Sequence, residues 1–272
     1  MTRLNLLSLS LLILLISCSS HEVEKPKEGT SLNDLYERAM NFMLVEKDYK
    51  KAAKAFENVE RFYPLSPWAM KSQLMAAYAY YQSAQYEQAI ANLENFLQSQ
   101  SNSDYAPYAQ YLLGLCYYIQ ITGVERDQTM TYKALKAFRK VVQKYPKTIY
   151  ARDARLKIDL CKEHLAGQDM EIGRFYLNKK IPTAALQRFL HVVQSHQTTS
   201  HAAEALYRCV EVFLTLGMKD EALKHAAVLG YNYPGNKWYQ STYDLLESHD
   251  LIKKHQSHLS QKKNKGNVAQ EK

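Results

Sequence analysis

Five stretches of the chain repeat one arrangement of apolar and polar positions: a polar turn, an alanine, an apolar residue four places on and, often, a closing proline. They contain Asp48-Tyr49-Lys50-Lys51-Ala52 with Phe56 and Tyr63-Pro64, then Gln85-Tyr86-Glu87-Gln88-Ala89 with Leu93. Next come Ala134 with Phe138 and Tyr145-Pro146, Ala185 with Phe189, and Met218-Lys219-Asp220-Glu221-Ala222 with Ala226 and Tyr233-Pro234. The i, i+4 spacing puts each alanine and its partner on one helix face. The anchors Ala52, Ala89, Ala134, Ala185 and Ala222 stand 37, 45, 51 and 37 residues apart, so one 37-residue unit recurs with insertions of 8 and 14. An unrelated helical bundle has no reason to keep that period. The first insertion falls at 120–131, between two helices, and the second predicts a longer or an additional helix over 150–166. Residues 237–252 read as an amphipathic helix, with Trp238, Leu245 and Leu246 available to cover the last unit, as a terminal repeat requires.

The pattern resembles the tetratricopeptide repeat (TPR), in which a small residue lets two antiparallel helices approach, an aromatic fills the groove and a proline ends the second helix. Twelve positions before the anchors stand Met40, Ala77, Gly173 and Val210, and Gly114 takes that place in the third unit once its insertion is allowed for. The expected fold is all-α: an α-solenoid of about five TPR-like helix pairs with a C-terminal capping helix. The resemblance places the concave, ligand-facing positions on the first helix of each pair. These are Asn41, Leu44 and Val45 in the first unit, Tyr78 and Tyr81 in the second, and Tyr108, Tyr111 and Tyr118 in the third. Five tyrosines on one surface give stiff contact area with hydrogen-bonding tips, which suits an extended peptide carrying aromatic side chains. The other reading is that they stack between repeats, as some of the chain's 21 tyrosines must.

Composition agrees with helices, since 272 residues contain only 9 Gly and 7 Pro. With 46% hydrophobic and 23% charged residues, neither wholesale disorder nor a polytopic membrane protein fits. Ahead of the repeats, Arg3 precedes an apolar run at 4–16, which is too short to span a bilayer but suits a secretory signal. The run ends in Leu15-Ile16-Ser17-Cys18, which resembles the bacterial lipobox. That reading makes 1–17 a lipoprotein signal peptide and puts N-acyl and S-diacylglycerol lipid on Cys18, so that the membrane is reached through a lipid anchor. The alternative is an ordinary signal peptide with an incidental Cys. Ser19, where an Asp marks inner-membrane retention, favours the outer membrane, and 18–31 is polar and reads as a flexible tether.

Charge changes the picture once it is located. The chain holds 35 basic and 27 acidic residues, a formal +8. Arg3 is the one charge before Cys18, and the last twenty residues carry six Lys against Glu271, which leaves +2 for 18–252. The basicity belongs to a polar tail at 253–272 that reads as disordered, so no nucleic-acid partner is expected. The tail is either solvated or touches anionic headgroups.

Motifs for catalysis are missing: the chain has no GxGxxG, P-loop, HExxH or GxSxG, so no enzyme, metal or cofactor other than the lipid is expected. His191 and His196 are five apart and do not share a face of a straight helix, and Glu163-His164 reads as a solvated pair. Cys116, Cys161 and Cys209 sit singly in helical stretches. An exported protein could pair two of them, but an odd set gives no framework, and buried free thiols are the preferred reading.

Lipobox, five helix pairs and about 250 mature residues together resemble the BamD family, the TPR lipoproteins of the outer-membrane β-barrel assembly (BAM) machinery. Arg61-Phe62-Tyr63-Pro64-Leu65-Ser66-Pro67 is similar to the family's R-x-Y-P-x-x-P, and Tyr78-Ala79-Tyr80-Tyr81-Gln82-Ser83-Ala84 to its Y-A-Y-Y-x-x-A. Gly123-Val124-Glu125-Arg126 is close to G-V-D-R, eleven residues ahead of Ala134, and Tyr150-Ala151-Arg152-Asp153-Ala154 also fits. Gln128-Thr129-Met130-Thr131 departs from the family's second charged D-R-D-P. The resemblance implies a non-catalytic scaffold facing the periplasm from the outer membrane. Its C-terminal repeats (four and five with the cap, 149–252) would hold the periplasmic domains of a BamA-type barrel, beside other assembly lipoproteins. Its N-terminal repeats (one to three, 32–148) would receive the aromatic-ending targeting strands of unfolded outer-membrane proteins. The resemblance also carries over Arg188 as a charge contact to the BamA-type partner, the plainer reading being an Arg paired along its own helix. Another envelope TPR lipoprotein, such as a secretin pilotin or a cell-division coordinator, is the alternative.

Overall fold

The computed structural model describes residues 30–252. Cys18, the signal segment and the basic tail lie outside the described residues. Among the described residues 76% are helical and none is in a strand, which makes the domain all-α. Eleven helices follow in order: α1 (Leu32–Leu44), α2 (Tyr49–Phe62), α3 (Pro67–Gln82), α4 (Tyr86–Ser99), α5 (Ala106–Tyr118), α6 (Thr129–Lys144), α7 (Ile149–Asn178), α8 (Pro182–Ser195), α9 (Ala202–Thr215), α10 (Lys219–Asn232) and α11 (Lys237–Ser248). Each packs on its neighbours in sequence, and the first helices α3, α5 and α7 also touch one another. α11 lies against α9 and α10. The outcome is five helix pairs and a cap.

Local chemistry sets the boundaries. Ser31 and Asp34 close a reciprocal capping box at the start of α1, while the side chains of Asp48, Thr148 and Asn236 cap α2, α7 and α11. Proline stands in the first turn of α3, α5 and α8, where its missing N–H costs no helical bond. Within four pairs the turn between helices passes through one left-handed residue: Lys47, Ala84, Lys180 and Gly217, each five positions before the anchor alanine. In three of them the same bond closes the turn, from the N–H of Gln85, Ile181 or Met218 to the carbonyl five residues back.

The anchor alanines are fully buried, as are Phe56, Leu93, Phe138 and Phe189 four residues on. The glycines explain how the helices approach. A Cβ on Gly114 would stand 2.5 Å from the Phe138 ring, and one on Gly173 would stand 2.4 Å from the Phe189 ring. In pair one Met40 is only half buried and Ala39 is the fully buried residue, with the Tyr36 ring edge-on to Phe56 at 5.6 Å. The second helices end alike: C-caps Tyr63, Tyr145, His196 and Tyr233 all have φ near −130°, at −131°, −129°, −131° and −130°. The three tyrosines use that position as a clamp, donating to the carbonyls of Thr30, Ser101 and Gln197 in preceding loops at 2.9, 3.1 and 3.0 Å.

The 14-residue insertion is the longer helix of the two alternatives: α7 runs 30 residues without a break. One apolar core ends at Leu165 and another begins at Ala166, both on this helix. The 8-residue insertion lengthens the α5–α6 loop to 119–128, so 129–131 are helical rather than loop. The cap behaves as expected, with Leu246 buried, Leu245 packed on the second core and Trp238 stacked on Tyr207 at 5.1 Å.

Candidate functional site

Tyr78 and Tyr81 on α3 and Tyr108, Tyr111 and Tyr118 on α5 share one side of the first-helix layer, and all five are half buried. α7 brings residues the repeat arithmetic missed. Tyr150 lies 5.4 Å from the Tyr108 ring and 5.6 Å from the Tyr111 ring. The Tyr111 hydroxyl donates to Asp153, and Lys157 Nζ stands 4.7 Å over the Tyr118 ring. Tyr150, Asp153 and Lys157 are spaced i, i+3, i+7, a helix-face signal already present in the helix expected over 150–166.

Stacking across pairs, the plainer reading, is seen in the Tyr150 contacts, while within pairs Tyr111 and Tyr118 pack on Phe138 at 5.9 and 6.2 Å and Tyr81 on Tyr86 at 6.0 Å. They also keep polar tips. The Tyr78 hydroxyl accepts from Gln82 Nε2 at 2.7 Å, and that of Tyr111 donates to Asp153. Burial first, and the neighbouring hydroxyls second, push the Tyr108 phenol well above its ordinary range. The same holds for Tyr111, where burial leads and Asp153 adds. Burial likewise raises Tyr81 and Tyr118, so these four phenols are held in their neutral form, with Asp153 and Lys157 along the α7 edge of the face. The first-unit positions differ: Leu44 and Val45 are exposed, and Asn41 donates to Glu46.

Arg188 on α8 is 46% exposed, and its Nη1 donates to Asp169 Oδ1 on α7 at 3.2 Å. Its partner is thus on the facing helix, not along its own. Asp169 is 8% exposed and also meets His191 Nδ1 at 2.7 Å. His191 and His196, set apart by the spacing argument, come together here with rings 5.4 Å apart. A five-residue spacing separates the two rings only on a continuous helix, whereas α8 stops at Ser195 with His196 as its C-cap.

The third-unit loop is braced from within. Buried Gln128 donates to the carbonyls of Gly123 and Arg126 at 3.1 Å each and accepts from Thr131 at 2.6 Å. Val124 rests near Gly167 of α7, where a Cβ would meet it at 3.3 Å. Cys116, Cys161 and Cys209 are free and buried, and burial pushes their thiols up to about 12, 11 and 12.

The fold and this face define a class: a TPR-type α-solenoid with an aromatic surface on its first-helix layer. The family described as "YfiO: Outer membrane lipoprotein" matches residues 29–229. Outer membrane protein assembly factor BamD of Caulobacter vibrioides is 48% identical over 204 residues, covering 75% of this chain and 67% of that protein. BamD of Rickettsia prowazekii is 46% identical over 208 residues, 76% of this chain and 82% of its own. Among solved structures, a thermophilic TPR protein of Thermus thermophilus is 15% identical and covers 82% of this chain and 100% of its own, at a TM-score of 0.38. The chain belongs to the YfiO family of outer membrane lipoproteins, the family of the BamD outer membrane protein assembly factors. Among the described residues no helix is long and apolar enough to cross a membrane.

Proposed function

We propose that this protein is a scaffold of the outer-membrane β-barrel assembly complex, held to the outer membrane by lipid on Cys18 and facing the periplasm. Its N-terminal pairs receive extended, aromatic-bearing segments of unfolded barrel proteins on the face of Tyr78, Tyr81, Tyr108, Tyr111 and Tyr118. Its C-terminal pairs hold the periplasmic domains of a BamA-type barrel, with Arg188 as a charge contact, alongside other assembly lipoproteins. The observation that carries the reading is the tyrosine face, where stiff, half-buried rings with hydroxyl tips meet the needs of an extended aromatic peptide. Arg188 supports the second contact, because its guanidinium is half exposed and keeps donors beyond the one used on Asp169.

The test is site-specific photocrosslinking from positions 81, 108 and 188 in native membranes. Crosslinks from 81 and 108 to unfolded barrel proteins, and from 188 to the barrel partner, are expected. A complex purified from those membranes that contains no barrel protein overturns the reading. Loss of acyl labelling in Cys18→Ala, with release to the soluble fraction, checks the anchor.

A further inference from the structure

Four second helices end in the same backbone geometry, and three of those ends carry a tyrosine that clamps the loop before it. The fourth carries His196, which has no hydroxyl to donate. It is 7% exposed, and its Nδ1 is buried without a hydrogen-bond partner among the described residues. An unpaired imidazole nitrogen at that depth carries the full desolvation cost of the group, so its retention calls for a ligand. Two more donors converge on the place. One ligand atom from each of Asp169, His191 and His196 lies within 4.8 Å of the other two.

We propose that Asp169, His191 and His196 form a binding site for a divalent transition ion of the Zn2+ class. Two imidazoles and one carboxylate are a common zinc donor set, and three protein ligands leave a coordination position for water or for a group from a bound partner. Around a tetrahedral ion with bonds of about 2.0–2.1 Å the donors stand roughly 3.3 Å apart, so the site closes by small rotations of the side chains. To ligate through Nδ1, His191 carries its proton on Nε2 instead of sharing it with Asp169. Arg188 on the other oxygen of Asp169 then orients the carboxylate, as outer partners of metal ligands do. Two of the three donors are imidazole nitrogens and one is a carboxylate, which disfavours Ca2+ and Mg2+, the ions that need several oxygen ligands.

The full chain, purified without a histidine tag, can be titrated with Zn2+ against a chromophoric chelator, with Co2+ absorption reporting the coordination sphere. One tight equivalent is expected. It should weaken more than about tenfold in His191→Ala and in Asp169→Asn and stay unchanged in the His255→Ala/His258→Ala double variant of the tail. His191 is half exposed, so its variant keeps the test valid even where His196→Ala fails to fold. No tight equivalent in the wild-type chain overturns the proposal, as does one that survives His191→Ala.

Discussion

In the second and third helix pairs the first-helix layer is lined by Tyr78, Tyr81, Tyr108, Tyr111 and Tyr118. In the fourth and fifth the same layer carries charge. Arg174 on α7 pairs with Glu171 and with Glu204 of α9 at 2.6 and 3.0 Å, and Arg208 with Glu204 and Glu211 at 3.5 and 2.8 Å. Beneath both lies one skeleton of buried alanine, glycine and phenylalanine. The difference shows that the repeat specifies its packing without specifying its surface, so one solenoid can present a neutral aromatic face and an ionic one. Exposed ion pairs contribute little to stability, and salt screens them, whereas phenol contacts are largely indifferent to salt. Partners of the C-terminal pairs should therefore be lost first as ionic strength rises.

The shared skeleton can be tested in both halves at once. Phe138→Ala and Phe189→Ala should each cost about 3–5 kcal/mol in urea unfolding, because each ring is fully buried. Gly114→Ala and Gly173→Ala should cost about 1–3 kcal/mol each by overpacking those rings. Combining Gly173→Ala with Phe189→Leu should recover part of the loss. A Gly114→Ala that costs nothing would show that the two halves do not share the device.

The faces themselves separate at high pH. Tyr108 and Tyr111 have phenol pKa values raised in the fold, so their contribution is fully present below the ordinary phenol value of about 10 and fades as pH rises above it. Denaturation midpoints should fall above about pH 10, and the Tyr108→Phe/Tyr111→Phe variant should lose less. Equal losses in that variant would place the alkaline sensitivity elsewhere.

Smaller effects probe the joints. Tyr145→Phe and Tyr233→Phe each remove one clamp bond and should lower stability by about 1 kcal/mol, alike in the two halves. Ala84→Gly and Lys180→Gly relieve left-handed residues at φ 58° and 59° and should raise it by roughly 0.5 kcal/mol each, read from thermal midpoints.

Much of this was legible in the chain. The anchor spacing marks the five pairs because a tight helix contact tolerates only small residues, and that demand repeats with the unit. The free buried thiols follow the same logic. What stayed hidden depends on where helices stop. His196 parts from His191 on paper only because five residues of ideal helix are assumed, and the helix ends at four. Tyr150, Asp153 and Lys157 lie on a helix expected under either alternative, and they join the tyrosine face because that helix packs against α5, a contact no spacing within the chain announces. Gln128 sits in a polar loop, and nothing in a polar side chain announces that it will turn inward to hold that loop.

α7 also fixes a phase between the two surfaces. It is about 45 Å long at 1.5 Å per residue, and Asp153 and Asp169 lie roughly 24 Å apart along it. Each residue also turns the helix by about 100°, so one residue inserted between those two aspartates would swing one surface a quarter-turn and more away from the other. Seven inserted residues would instead part the surfaces by about 10 Å and leave their bearings nearly unchanged. The molecule can thus be stretched in strides of two turns, while a single-residue slip would point its two faces at different neighbours.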